Sequence, residues 1–182
     1  VRQKWFGCSC CPPNVARLLS SLNSYIYTAS PEKNTVYTHL FIGSEARFEL
    51  AVGEVAFTQQ SKLPWEGYVR LELTAAPQDT FTLALRIPSW SRDGAVLKIN
   101  GAATTYEVVN GYASVERAWV QGDIVEWELA LEAQLTAAHP QMRANAGKVA
   151  IERGPLVYCL EEVDNAAPLA TVSIIAGGKL EA

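Results

Sequence analysis

The chain has 182 residues, 49% hydrophobic and 19% charged, with a formal net charge of −4. That length can bury a real core in one large or two small domains. The mild acidity excludes the electrostatic footprint of a nucleic-acid or anionic-membrane binder, and no run of ~18 apolar residues marks a transmembrane helix.

Val1 is not a methionine, and the opening VRQKWFG has neither a signal-peptide nor a transit-peptide pattern. The chain is expected to start inside a longer polypeptide, with any targeting signal upstream. Localisation therefore stays open, and the free cysteines lean only toward the cytoplasm.

WFGCSCCPPN, residues 5–14, crowds Cys8, Cys10 and Cys11 ahead of two prolines. Cys10 and Cys11 are adjacent and Cys8 is two residues away, so any bridge among them would be strained and no disulfide framework is expected. A helix is predicted from Pro12, because Val15, Leu18, Leu19, Leu22, Tyr25 and Ile26 form one apolar stripe. The prolines suit its first turn, and it should fade near Thr28. Such a stripe needs a cover, either a neighbouring molecule or the rest of the chain.

After Asn34 the period switches to two. Residues 36–42, 68–74 and 80–87 read as strands, the last with Phe81, Leu83, Leu85 and Ile87 on one face. Asn100-Gly101 and Asn110-Gly111 each separate strand-like runs, which signals type I′ hairpins. A turn at Gly122-Asp123 leads into a strand where Val125, Trp127 and Leu129 alternate. Alternation stops over 135–147, and KVAIERGPLVYCLEE then offers two more strands broken at Gly154-Pro155. Cys159, inside LVYCL, reads as a small buried hydrophobe. The fold class is mainly β, an antiparallel β-sandwich preceded by one α-helix. The expected domains are 1–30, 31–134 and 135–182, the last an incomplete second sandwich.

The cysteine cluster carries the chemistry. Thiolates bind metals and attack electrophiles, and a helix beginning just after Cys11 turns the positive end of its dipole toward them. Zinc suits such a donor set, although C-x-C-C is not a C-x₂-C knuckle. On spacing alone, a metal site and an inert buried cluster stand side by side. His39 and His139 could add ligands but read better as strand or loop residues. Asn14 and Arg17 lie near the cysteines, off the apolar stripe, and read as solvated positions that could line a sugar site. Trp65, Trp90, Trp119 and Trp127 invite a carbohydrate-stacking reading; Trp127 is expected in the core, while Trp65 and Trp90 sit in loop-like contexts that would allow exposed platforms. Glu161 and Glu162 are neighbours on a strand and make a poor acid/base pair.

KWFGCSCCPPNVARLLSSLNSYIY, together with KVAIERGPLVYCLE downstream, resembles the C-terminal part of a glycoside hydrolase family 127 enzyme, whose type activity is β-L-arabinofuranosidase. The resemblance covers nearly the whole chain and favours the metal reading. It implies that the first helix is the last piece of an (α/α)6 barrel carrying the active site, followed by β-sandwich domains. It further implies Cys10 as nucleophile and zinc ligand and Cys11 as second ligand. The remaining ligands, a glutamate and a cysteine, and the glutamate acid/base would lie upstream of Val1. Cys8 belongs to the motif without an assigned role, and Glu152-Arg153 before Gly154-Pro155 is a family-typical turn. The implied cofactor is Zn²⁺ and the implied partner an L-arabinofuranose-containing glycan. No nucleic acid or membrane is implied, and a homo-oligomer is left open. Alone, the chain is expected to lack glycosidase activity. The competing readings are a non-catalytic carbohydrate-binding or scaffolding sandwich with structural cysteines, and a redox-sensing cluster.

Overall fold

The computed structural model describes residues 7–91, 93–166 and 168–175. It opens with α1, Cys11–Ser21, whose first turn holds the prolines where absent amide donors cost nothing. The helix ends earlier than the stripe suggests. A 3₁₀ turn, Leu22–Tyr25, leads directly into strand β1, Tyr27–Ser30. Tertiary packing overrides the helical period here. Tyr27 sets its ring edge-on to Phe48 and Phe57, at centroid distances of 5.9 and 5.3 Å, and Ile26 is buried beside it.

Strand β2, Thr35–Thr38, pairs with β1 through a turn in which Asn34 adopts a left-handed φ of 46°. The expected boundary at residue 30/31 thus falls inside this hairpin. β2 also stops at Thr38, short of the expected 42. Strands β3, Ser44–Leu50, and β4, Gly53–Ser61, follow as a hairpin. β5 is Tyr68–Ala75, β6 Phe81–Arg86, β7 Val96–Ile99, β8 Ala102–Ala103, β9 Glu107–Val109, β10 Tyr112–Arg117 and β11 Ile124–Glu128.

Eleven strands make two sheets, ordered β1-β2-β6-β10-β9 and β3-β4-β5-β11-β7-β8. The second is antiparallel throughout. The first departs from the antiparallel expectation at one place, where β2 runs parallel to β6. Chain between them makes strands of the other sheet, so they meet by a crossover rather than a hairpin. Both asparagine-glycine turns form as predicted, with positive φ at Asn100 and Gly101 (52° and 79°) and at Asn110 and Gly111 (51° and 84°).

The core lies between these sheets. Val36, Phe81, Leu83 and Leu85 from one meet Val55, Phe57, Val69, Leu71, Val125 and Trp127 from the other. Each such large side chain contributes about 1.5–3 kcal/mol on burial. Trp119 joins them and donates its indole N–H to the Phe81 carbonyl at 3.0 Å.

A third, three-stranded sheet follows: β12, Ala133–Ala137, β13, Val149–Arg153, and β14, Leu156–Tyr158. Gly154 turns between the last two with φ 58°. A Cβ there would run into the Leu131 side chain and touch Trp90.

No residue of α1 is buried. Val15, Leu18 and Leu19 are 56%, 54% and 65% exposed, so the stripe does not pack on the sandwich. The apolar inner faces of the two sheets already cover each other. Cys159 is also exposed, contrary to the buried reading, because β14 ends at Tyr158 before reaching it.

Candidate active site at the head of the first helix

The three cysteines of the CSCC motif gather at the N-terminus of α1. Cys10 occupies the cap position and Cys11 opens the helix. Their sulfurs are 3.6 Å apart, and the Cys8 sulfur is 3.3 Å from that of Cys10. All three are exposed on this chain.

Local chemistry explains the placement. Cys10 has helical dihedrals, φ −68° and ψ −37°, so its carbonyl points down the helix. There it accepts both the backbone N–H of Asn14 at 3.2 Å and the Asn14 side-chain amide at 2.8 Å. Arg17 in turn donates to the Asn14 oxygen at 2.9 Å. Asn14 and Arg17 therefore brace the Cys10 backbone rather than simply facing solvent. No acidic residue occupies the first turn, so no carboxylate competes with a thiolate for the positive helix end.

Two thiolates bound tetrahedrally at ~2.3 Å from zinc stand about 3.8 Å apart. The 3.6 Å separation of Cys10 and Cys11 matches that edge. The pair fits as half a coordination shell. Among the described residues no group of three or more His, Cys, Asp and Glu could hold a metal.

Neither histidine joins the cluster. His39 has both ring nitrogens engaged, with the Thr28 hydroxyl at 2.8 Å and the Tyr112 hydroxyl at 2.7 Å. Burial and then the charge of Arg86 hold its pKa below the usual value. His139 lies in a loop and accepts the Gln141 N–H. Of the tryptophans, Trp119 and Trp127 are core, Trp90 is half-buried, and Trp65 stands 69% exposed. Arg153 donates to the Trp65 carbonyl at 3.2 Å, which fastens the Gly154-Pro155 hairpin to that loop. Glu152 accepts the Thr136 hydroxyl. Glu161 precedes a 3₁₀ turn, Glu162–Asp164, and both glutamates are exposed.

Residues 35–131 match the family description "Beta-L-arabinofuranosidase, GH127 middle domain", and residues 133–181 match "Glycoside hydrolase family 127 C-terminal domain". The chain belongs to glycoside hydrolase family 127. It is 38% identical over 173 residues to the non-reducing end β-L-arabinofuranosidase of Bifidobacterium longum subsp. longum, covering 92% of this chain and 26% of that one. A GH127 β-L-arabinofuranosidase from Geobacillus stearothermophilus T6 superposes with a TM-score of 0.82 at 47% identity, over 93% of this chain and 27% of that structure. A second GH127 β-arabinofuranosidase structure gives 0.82 at 34% identity, over 91% and 28%. The chain thus spans about a quarter of the length of these GH127 relatives. Both sheets of the sandwich lie within the stretch matched as the middle domain, apart from β1.

The sequence reading missed the Thr28–His39–Tyr112 chain of hydrogen bonds. Tyr112 lies 73 positions from His39, and only the strand register brings them together.

Proposed function

We propose that this chain is the C-terminal part of a retaining glycosidase that hydrolyses β-L-arabinofuranosides with Cys10 as nucleophile. The observation that carries this reading is the exposed Cys10–Cys11 pair at the head of α1, in a chain whose relatives are named β-L-arabinofuranosidases.

Most retaining glycosidases pair two carboxylates; here a thiolate takes the nucleophile's place. The Cys10 sulfur attacks the anomeric carbon, the glycosidic oxygen leaves with a proton from a general acid, and a thioglycoside on Cys10 results. Water, deprotonated by the same group, then displaces the sulfur. Cys10 and Cys11 would hold zinc, which when bound keeps sulfur ionised at neutral pH and eases its departure. The helix dipole acts in the same sense on the thiolate. The Arg17–Asn14–Cys10 brace fixes the attacking group, as catalytic positioning requires. The acid/base and the remaining ligands would come from an (α/α)6 barrel whose last helix is α1, and the apolar stripe of α1 would pack inside it.

Two outcomes test this. A protein of the length of the GH127 relatives, ending in this chain, should release arabinose from a synthetic β-L-arabinofuranoside. Cys10→Ser should reduce kcat by about 10⁴-fold or more, as loss of a nucleophile does elsewhere. The 182-residue chain alone should release none; turnover by it would contradict the division of the site between barrel and chain.

A further inference from the structure

A hollow of about 500 Å³ lies on the outer face of the five-stranded sheet, turned away from the core. Its construction follows from the register. Thr28, Tyr37, Ala84, Ser114 and Glu107 stand on one rung across all five strands. Thr35, Thr82 and Glu116 stand on the next. The centre of the sheet therefore carries small side chains on its outer face, and Ala84 is fully buried there although it points away from the core.

Larger groups rise around this floor. Tyr37 and His39 stack nearly parallel, with an interplanar angle of 9°, and Tyr112 meets both edge-on at 5.4 and 5.7 Å. The hydrogen bonds of His39 to Thr28 and Tyr112 lock this wall. Glu107 and Glu116 line the opposite side.

We infer that this hollow is a binding site for a neutral saccharide unit, separate from the cysteine site. Aromatic rings offer the apolar face of a sugar a matching surface. Hydroxyls spaced at the strand separation of ~4.8 Å, flanked by carboxylates, supply donors and acceptors in the pattern that a polyol needs. Burial, and then the Arg86 guanidinium on the strand beside Tyr112, disfavour the imidazolium of His39, so the aromatic wall itself carries no charge near neutral pH. Glu107 and Glu116 outnumber the Arg86 guanidinium that stands on the same face beside Tyr112, which sets the site against anionic sugars. The site draws on none of Cys8, Cys10 or Cys11, so its presence does not depend on the thiolate chemistry proposed above.

The test is isothermal titration of the 182-residue chain with short neutral arabino-oligosaccharides, and with oligogalacturonate as the anionic comparison. Saturable binding of the neutral probe with a Kd on the order of 1 mM is expected for a shallow open site. Oligogalacturonate should bind at least tenfold more weakly. Ser114→Leu fills the floor and should weaken binding at least tenfold while leaving the circular dichroism spectrum and Tm unchanged. Tyr112→Phe, which removes one hydroxyl, should weaken it a few-fold. Cys10→Ser should bind as the unaltered chain does. Absence of saturable binding up to ~20 mM, equal affinity for the uronate, indifference to Ser114→Leu, or loss of binding in Cys10→Ser would each overturn the inference.

Discussion

Asp123 ties the loop after β10 to the turn after β7. It is 4% exposed. Its carboxylate accepts the Asn100 amide at 2.8 Å and the Val120 N–H at 3.0 Å, with the Arg117 guanidinium 3.9 Å away. Burial pushes its pKa up, but the two hydrogen bonds and Arg117 outweigh burial and hold it below the ordinary 3.8. A depressed folded-state pKa means that the ionised form is favoured by folding. Its contribution is complete above the unfolded value and disappears as pH falls through the folded one. Asp123→Ala should cost about 2–4 kcal/mol in urea denaturation at pH 7, since it strands buried donors. The difference from the unaltered chain should shrink as pH falls below 3.8. His39 acts in the same direction at higher pH. Its pKa is also depressed from 6.5, so the unfolded chain takes up the proton first and stability declines as pH falls below that value. Asn100 could be read as a turn residue from its neighbour Gly101. Its side chain's service to Asp123, 23 positions on, could not, because sequence spacing does not show which loops meet.

Hairpins were the most legible elements, because turn chemistry is local. Asn-Gly pairs need nothing beyond themselves to favour positive φ at both positions. The two glycine turns at 111 and 154 now separate. Gly111 has φ 84° and open space around the missing Cβ, whereas Gly154 has φ 58° and the Leu131 side chain in the way. Gly111→Ala should therefore cost about 1 kcal/mol through backbone strain alone. Gly154→Ala should cost more, with thermal melts of both variants giving the order. What stayed illegible at this scale depended on distant partners. β1 looked like the end of a helix until Tyr27 found Phe48 and Phe57. The parallel β2–β6 pair left no trace in either strand's own pattern. β3 is different: Ala46, Phe48 and Leu50 alternate with Glu45, Arg47 and Glu49, a period-two signal that its own residues carry.

At the scale of the whole molecule, the sandwich and α1 are energetically independent. The helix contributes no buried residue, so a chain starting at Leu22 should melt within about 1 °C of the full 182 residues, inside the roughly 2–4 °C that 1 kcal/mol produces at this length. A larger fall would show that α1 supports the fold. The CSCC motif was legible as chemistry and as a helix start, since Pro-Pro and the apolar stripe both point there. The exposure of its thiols and of the stripe was not, because burial is a property of what surrounds an element. That open apolar face, in a chain spanning 26% of its curated relative, is what the proposed barrel would cover.

The most direct measurement is intact-protein and peptide mass spectrometry after rapid acid quench of a protein of the relatives' length turning over a β-L-arabinofuranoside. The account predicts one anhydropentose attached to the peptide carrying Cys10, absent in Cys10→Ser. A pentose carried by another residue, or steady turnover by Cys10→Ser at the unaltered rate, would contradict it.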